Sequence, residues 1–108
     1  MKHSGYRTMW LVVMFDLPTL DEADRQRANR FRNFLKDNGF QMSQLSVYFK
    51  YIGVRENAPK IIKLIEGNTP VGKVSILFFT DKQFSDIICI HNNQIERMPD
   101  KPEQLLLF

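Results

Sequence analysis

Residues 9–18 read Met9-Trp10-Leu11-Val12-Val13-Met14-Phe15-Asp16-Leu17-Pro18, and the seven residues from Met9 to Phe15 are apolar without a break. A strand with one wet face alternates, so this run predicts a central strand buried on both faces. Asp16 ends it. A carboxylate is thereby set at the carboxyl end of that strand, on the rim of the core, where it can hold a cation or a turn. An aspartate two residues before a proline is also what an ordinary turn or cap uses.

Working outward, residues 1–8 are polar with Gly5 in their middle and read as a flexible N-terminal tail. On the other side Pro18 stops the strand, and Thr19-Leu20-Asp21-Glu22 has the spacing of a capping box, in which Thr19 and Glu22 satisfy opposite backbone donors. The helix so begun extends to about Asn38, with Leu20, Ala28, Phe31, Phe34 and Leu35 on one stripe and Gly39 as the left-handed residue that stops it. Its charges are ordered. Asp21, Glu22 and Asp24 come first and Arg25, Arg27, Arg30, Arg32 and Lys36 follow, an order that suits the helix dipole and equally offers a phosphate-binding face. Arg27 falls by helical angle between Leu20 and Phe34, so it must snorkel or meet an anion near the Asp16 end.

Residues 40–52 read as extended, with Leu45, Val47 and Phe49 alternating against Ser46, Tyr48 and Lys50, and with a bulge or bend at Ser43-Gln44. Gly53 breaks this strand. Asn57-Ala58-Pro59 predicts a capped second helix carrying Ala58, Ile61, Ile62 and Ile65 inward, closed by Gly67-Asn68-Thr69-Pro70. Residues 71–80 form another core strand by their β-branched and aromatic content, Thr80-Asp81 caps a single turn over 82–85, and 86–90 form a last short strand. His91-Asn92-Asn93 is a turn, and residues 91–103, with Pro99 and Pro102, read as loop. The element order suits an α+β, ferredoxin-like βαββαβ sandwich, an antiparallel sheet with both helices on one face. Residues 104–108 then add Leu105, Leu106, Leu107 and Phe108. Four apolar residues at a chain end are expected to pair as an extra strand on a sheet edge, the edge of a partner.

At 108 residues, 44% hydrophobic and with nine Phe, the chain is a single folded domain, small for a deep pocket, and a homodimer is the natural way to enlarge it. A net charge of +3 permits nucleic-acid binding without requiring it. The single Cys89 excludes an internal disulfide and a Cys-rich zinc site; set among Ile87, Ile88 and Ile90 it reads as a small hydrophobe, consistent with a reducing cytoplasm. The apolar run 9–15 is too short to span a membrane and lacks a cleavage site, so neither a membrane partner nor export is expected. His3 and His91 have no ligand-spaced neighbours and read as solvent-exposed. Ser46 and Tyr48 are read as making sheet-face hydrogen bonds rather than facing Asp16.

Four fragments in this order, Phe15-Asp16-Leu17-Pro18, Phe34-Leu35-Lys36 with Gly39-Phe40, Gln44-Leu45-Ser46-Val47-Tyr48, and Thr80-Asp81-Lys82-Gln83-Phe84, resemble the CRISPR-associated protein 2 family, in the branch that accompanies type II systems. The resemblance implies a ferredoxin-like homodimer that joins the CRISPR-associated integrase to capture new spacers. It also implies metal-dependent endonuclease activity on RNA or double-stranded DNA, with Mg²⁺ or Mn²⁺ at Asp16, one carboxylate from each protomer. Arg30 stands at the place of a basic helix residue tied to nuclease function in some members. Phosphodiester hydrolysis uses a cation to polarise the phosphate and activate water, and two symmetry-related aspartates satisfy its usual carboxylate demand. Binding of duplex DNA needs only cations along a surface, for which Arg25, Arg27, Arg30, Arg32 and Lys36 are the candidates. The alternative on this fold is a ligand-binding regulatory module, for which the chain has no Gly-rich loop.

Overall fold

The apolar run becomes β1 (Thr8–Asp16), one of the two inner strands of a four-stranded antiparallel sheet of order β2-β3-β1-β4, with β2 (Gln41–Gln44), β3 (Val47–Val54) and β4 (Lys73–Thr80). The computed structural model describes residues 8–102. Helix α1 (Glu22–Asp37) links β1 to β2, and α2 (Ala58–Glu66), entered through a 3-10 turn at Arg55–Asn57, links β3 to β4. This is the βαββαβ order and the ferredoxin-like sheet expected from the sequence.

The period of two along β1 divides the core into two layers. Met9, Leu11, Val13 and Phe15 pack with Phe31 and Leu35 of α1 and Ile65 of α2, while Trp10 and Val12 pack with Phe49 on the opposite face. That second face is covered at the Trp10 end by the short helix α3 (Asp81–Ser85), whose buried Phe84 stacks on Trp10 at 3.9 Å between centroids and 5° between planes. The Trp10 indole nitrogen donates to Asp81 at 2.7 Å. Thr80 and Gln83 close the capping box of α3, which the Thr80-Asp81 pair predicts.

Several details depart from the sequence reading. Thr8 does not belong to the tail; it is buried and pairs with Val54 as the first residue of β1. The cap of α1 is Asp21, whose carboxylate accepts from the Asp24 amide at 2.8 Å, instead of a Thr19–Glu22 box. Both pairs have the spacing a cap needs, and an aspartate caps at least as well as a threonine. With the helix starting later, Leu20 lies outside it and is 92% exposed. Residues 40–52 are not one strand: a turn at Leu45-Ser46 folds β2 back on β3, with the register slipping between Met42 and Gln44 where a bulge is expected. Residues 91–103 are not all loop either. β5 (Ile88–His91) and β6 (Gln94–Arg97) form a separate two-stranded hairpin, turned by Asn92 and Asn93 at φ 53° and 66°. Two consecutive left-handed residues make the tight turn that matches strand twist, and asparagine tolerates that region better than most. Asn57 donates its side-chain amide to the Ile52 carbonyl at 2.7 Å instead of capping α2. The expected terminal strand at 104–108 lies outside the described residues.

Candidate functional site

Asp16 is the last residue of β1, and alternation aims it with Trp10, Val12 and Met14 at the face away from α1 and α2. At this end that face is open: Asp16 is exposed and Met14 is 43% exposed. The strand end is pinned on both sides. The Phe15 amide donates to the Ser46 carbonyl at 3.1 Å, and Asp16 stands opposite Lys73 in the β1–β4 register. A shallow recess of about 270 Å³ results, lined by Asp16, Lys73, Ser46, Ser75, Met14 and Val47 with Phe15 behind. Ser46 therefore borders Asp16, contrary to its reading as a sheet-face group, because the Leu45-Ser46 turn carries it out of the strand. Tyr48 does not border it: its side chain is fully buried on the helix side, stacked near Phe15, and its hydroxyl has no hydrogen-bond partner among the described residues. Lys73 and Ser75 are the neighbours that sequence reasoning missed. Nothing in a linear sequence says which residue of β4 will lie opposite Asp16.

The basic residues of α1 belong to the other layer. At about 100° per residue, Arg25, Arg32 and Lys36 line one flank of the helix and Arg27 and Arg30 the other. Arg25 donates to the Thr19 carbonyl at 3.3 Å and pairs with Glu22 at 3.1 Å. Arg27 pairs with the Asp24 carboxylate, so its anion is a neighbour on its own helix and not Asp16. Arg32 donates to the Leu45 carbonyl at 3.3 Å and to Asn29 at 3.0 Å, and its guanidinium lies 5.9 Å from the Phe15 ring centre. Arg30 and Lys36 are exposed and make no side-chain hydrogen bond or ion pair among the described residues. Through Arg32 and the Leu45-Ser46 turn, the Arg25–Arg32–Lys36 flank reaches the end of the sheet where Asp16 stands.

The donors around Asp16 are a carboxylate and two hydroxyls, oxygen ligands of the kind Mg²⁺ takes. Their kind fits the ion and their number does not: among the described residues no three of His, Cys, Asp and Glu come together. One chain therefore offers one carboxylate. Cys89 is half-buried with its sulfur 3.7 Å from that of Met98, and His91 is exposed and faces Glu96 at 3.3 Å on the hairpin. Neither residue lines the Asp16 recess. No helix among the described residues is long and apolar enough to cross a membrane.

The family model describing CRISPR associated protein Cas2 matches residues 9–87, from the start of the central strand through α3. The chain belongs to the Cas2 family. It is 43% identical over 106 residues to the CRISPR-associated endoribonuclease Cas2 of Paracidovorax avenae, covering 97% of this chain and 98% of the relative. It is 38% identical over 104 residues to the protein of the same name from Flavobacterium psychrophilum, covering 95% and 90%. The Cas2 crystal structure from Streptococcus pyogenes at pH 6.5 aligns with a TM-score of 0.48 and 23% identity over 65% of this chain and 82% of that one. Asp16, all of β1 but Thr8, and the Thr80–Phe84 cap of this Cas2 chain lie within the matched residues.

Proposed function

We propose that this Cas2 chain works in spacer acquisition as a homodimer that binds duplex DNA by its phosphates and holds it for the CRISPR-associated integrase, and that paired Asp16 residues give the dimer a Mg²⁺- or Mn²⁺-dependent phosphodiesterase activity. The observation that carries the reading is the exposed carboxylate at the open end of the central strand of a Cas2 chain, one group per chain where Mg²⁺ takes one or two. Pairing of the open sheet faces would supply the second. The names of the relatives, CRISPR-associated endoribonuclease, support the hydrolytic half.

Asp16, with its counterpart in the second copy, would hold the divalent ion, whose chemistry when bound is to polarise a phosphate and activate water. The chain's own part is to hold Asp16 at the end of a strand buried from Thr8 to Val13 and at Phe15, with the Ser46 carbonyl bonded to the preceding amide, so that the carboxylate is presented on a rigid support. On α1 the flank of Arg25, Arg32 and Lys36 would follow the nucleic-acid backbone without reading bases, as capture of arbitrary sequence requires, with the exposed Arg30 offering a second contact from the opposite flank.

The test is Asp16→Asn. Cleavage of RNA and of duplex DNA with Mg²⁺ or Mn²⁺ should fall by more than about a hundredfold, since even loss of outer support to a metal ligand can cost that much. Duplex binding without metal and capture of the integrase should persist. Undiminished cleavage would remove Asp16 from the chemistry. A wild-type chain that sediments as a monomer, or binds neither duplex nor integrase, would end the scaffold reading.

A further inference from the structure

We infer that Lys73 is a phosphodiester-binding residue of the Asp16 rim, its ammonium holding a backbone phosphate beside the carboxylate; the inference rests on the nucleic-acid reading above. β1 and β4 are antiparallel with Asp16 directly opposite Lys73. Residues so opposed project to the same face with Cβ atoms about 4.5–5.5 Å apart, so carboxylate and ammonium leave the sheet side by side. Both are exposed, and Lys73 joins no ion pair among the described residues. Asp16 and Lys73 are the one acid and the one base in the lining of their recess. The other walls are Met14, Val47 and Phe15, with the Ser46 and Ser75 residues between. With apolar side chains on the remaining walls, Lys73 is the one group of the recess that can meet a phosphate by charge.

The placement is fixed by backbone as well as by register. Gly72 has φ +130°, and a Cβ built on it would lie 2.7 Å from Leu17 Cδ2 and 2.9 Å from the Asp16 carbonyl oxygen. The chain entering Lys73 therefore rests on the chain leaving Asp16, which holds the two charges in this register. Beside a carboxylate that holds a cation, a phosphate needs a donor for its remaining oxygens, and a lysine supplies three. The competing role for Lys73 is charge partner to Asp16, a contact that would serve the strand pair alone.

The experiment measures binding of the full-length chain to a mixed-sequence DNA duplex across a salt series, with chelator present, for wild type, Lys73→Gln, Lys73→Arg, Asp16→Asn, and Lys73→Gln combined with Asp16→Asn. Lys73→Gln should weaken binding about equally for all sequences and reduce the slope of log affinity against log salt by about one for each Lys73 engaged, while Lys73→Arg keeps the slope. The reduction should persist in the Asp16→Asn background, where a mere charge partner would have nothing left to pair. Unchanged affinity and slope for Lys73→Gln in a chain that binds duplex would overturn the inference and leave the nucleic-acid reading standing. So would an effect that vanishes once Asp16 is neutral. Failure of the wild type to bind duplex would remove both together.

Discussion

Replacing Gly72 by alanine should disturb Asp16 without touching its side chain. The added methyl would press on Leu17 and on the Asp16 carbonyl at a backbone angle that side chains rarely adopt. A loss of roughly 1–3 kcal/mol in chemical denaturation is expected, with cleavage falling further than the lost folded fraction accounts for; a variant as stable and active as wild type would show that the contact relaxes freely. At this scale the sequence was legible where one residue changes the character of a run. Asp16 announces itself by ending seven apolar residues. Lys73 does not, because its importance lies in the residue across the ladder, and register is settled by turns and packing that no single stretch encodes. The Thr19–Glu22 box was misplaced for a different reason: two overlapping pairs met the same spacing rule, and the helix took the one beginning at Asp21.

The elements divide in the same way. β1 and α1 bury patterned apolar surfaces, and α2 and β4 lay Ile61, Ile62, Ile65, Val74 and Ile76, buried or half-buried, against the same core, so their pattern located them. The β5–β6 hairpin buries little: Ile88, Ile90 and Ile95 are 56%, 72% and 64% exposed, so Gln94-Ile95-Glu96-Arg97 carried no apolar signal strong enough to mark a strand. Its legible sign is Asn92-Asn93, a turn whose two left-handed residues close a hairpin. An Asn93→Val change puts a β-branched residue at φ 66° and should cost about 1–2 kcal/mol within the hairpin. Amide exchange at Ile90 and Ile95 should quicken while the amides of β1 stay protected; equal protection throughout would mean that the turn does not hold the hairpin.

Across the whole molecule the two ends of the sheet have opposite characters. One end is open and charged, with Asp16, Lys73 and, through Arg32 and the Leu45-Ser46 turn, one basic flank of α1. The other is closed by aromatic packing of Trp10, Phe49 and the fully buried Phe84. Phe84→Ala should cost about 3–5 kcal/mol, the usual range for an aromatic removed from a core, and a cost near zero would mean that α3 is dispensable to the fold. The closed end has one more property. Trp10 is the chain's single tryptophan, flat against Phe84 and bonded to Asp81, six residues or about 20 Å along β1 from Asp16. Its fluorescence is therefore expected to follow the packing of α3, Phe49 and Tyr51 around the ring and to stay unchanged on substitutions at the charged rim that leave the fold intact. The chain carries its own optical control, by which a variant that has lost its chemistry can be told from one that has lost its fold.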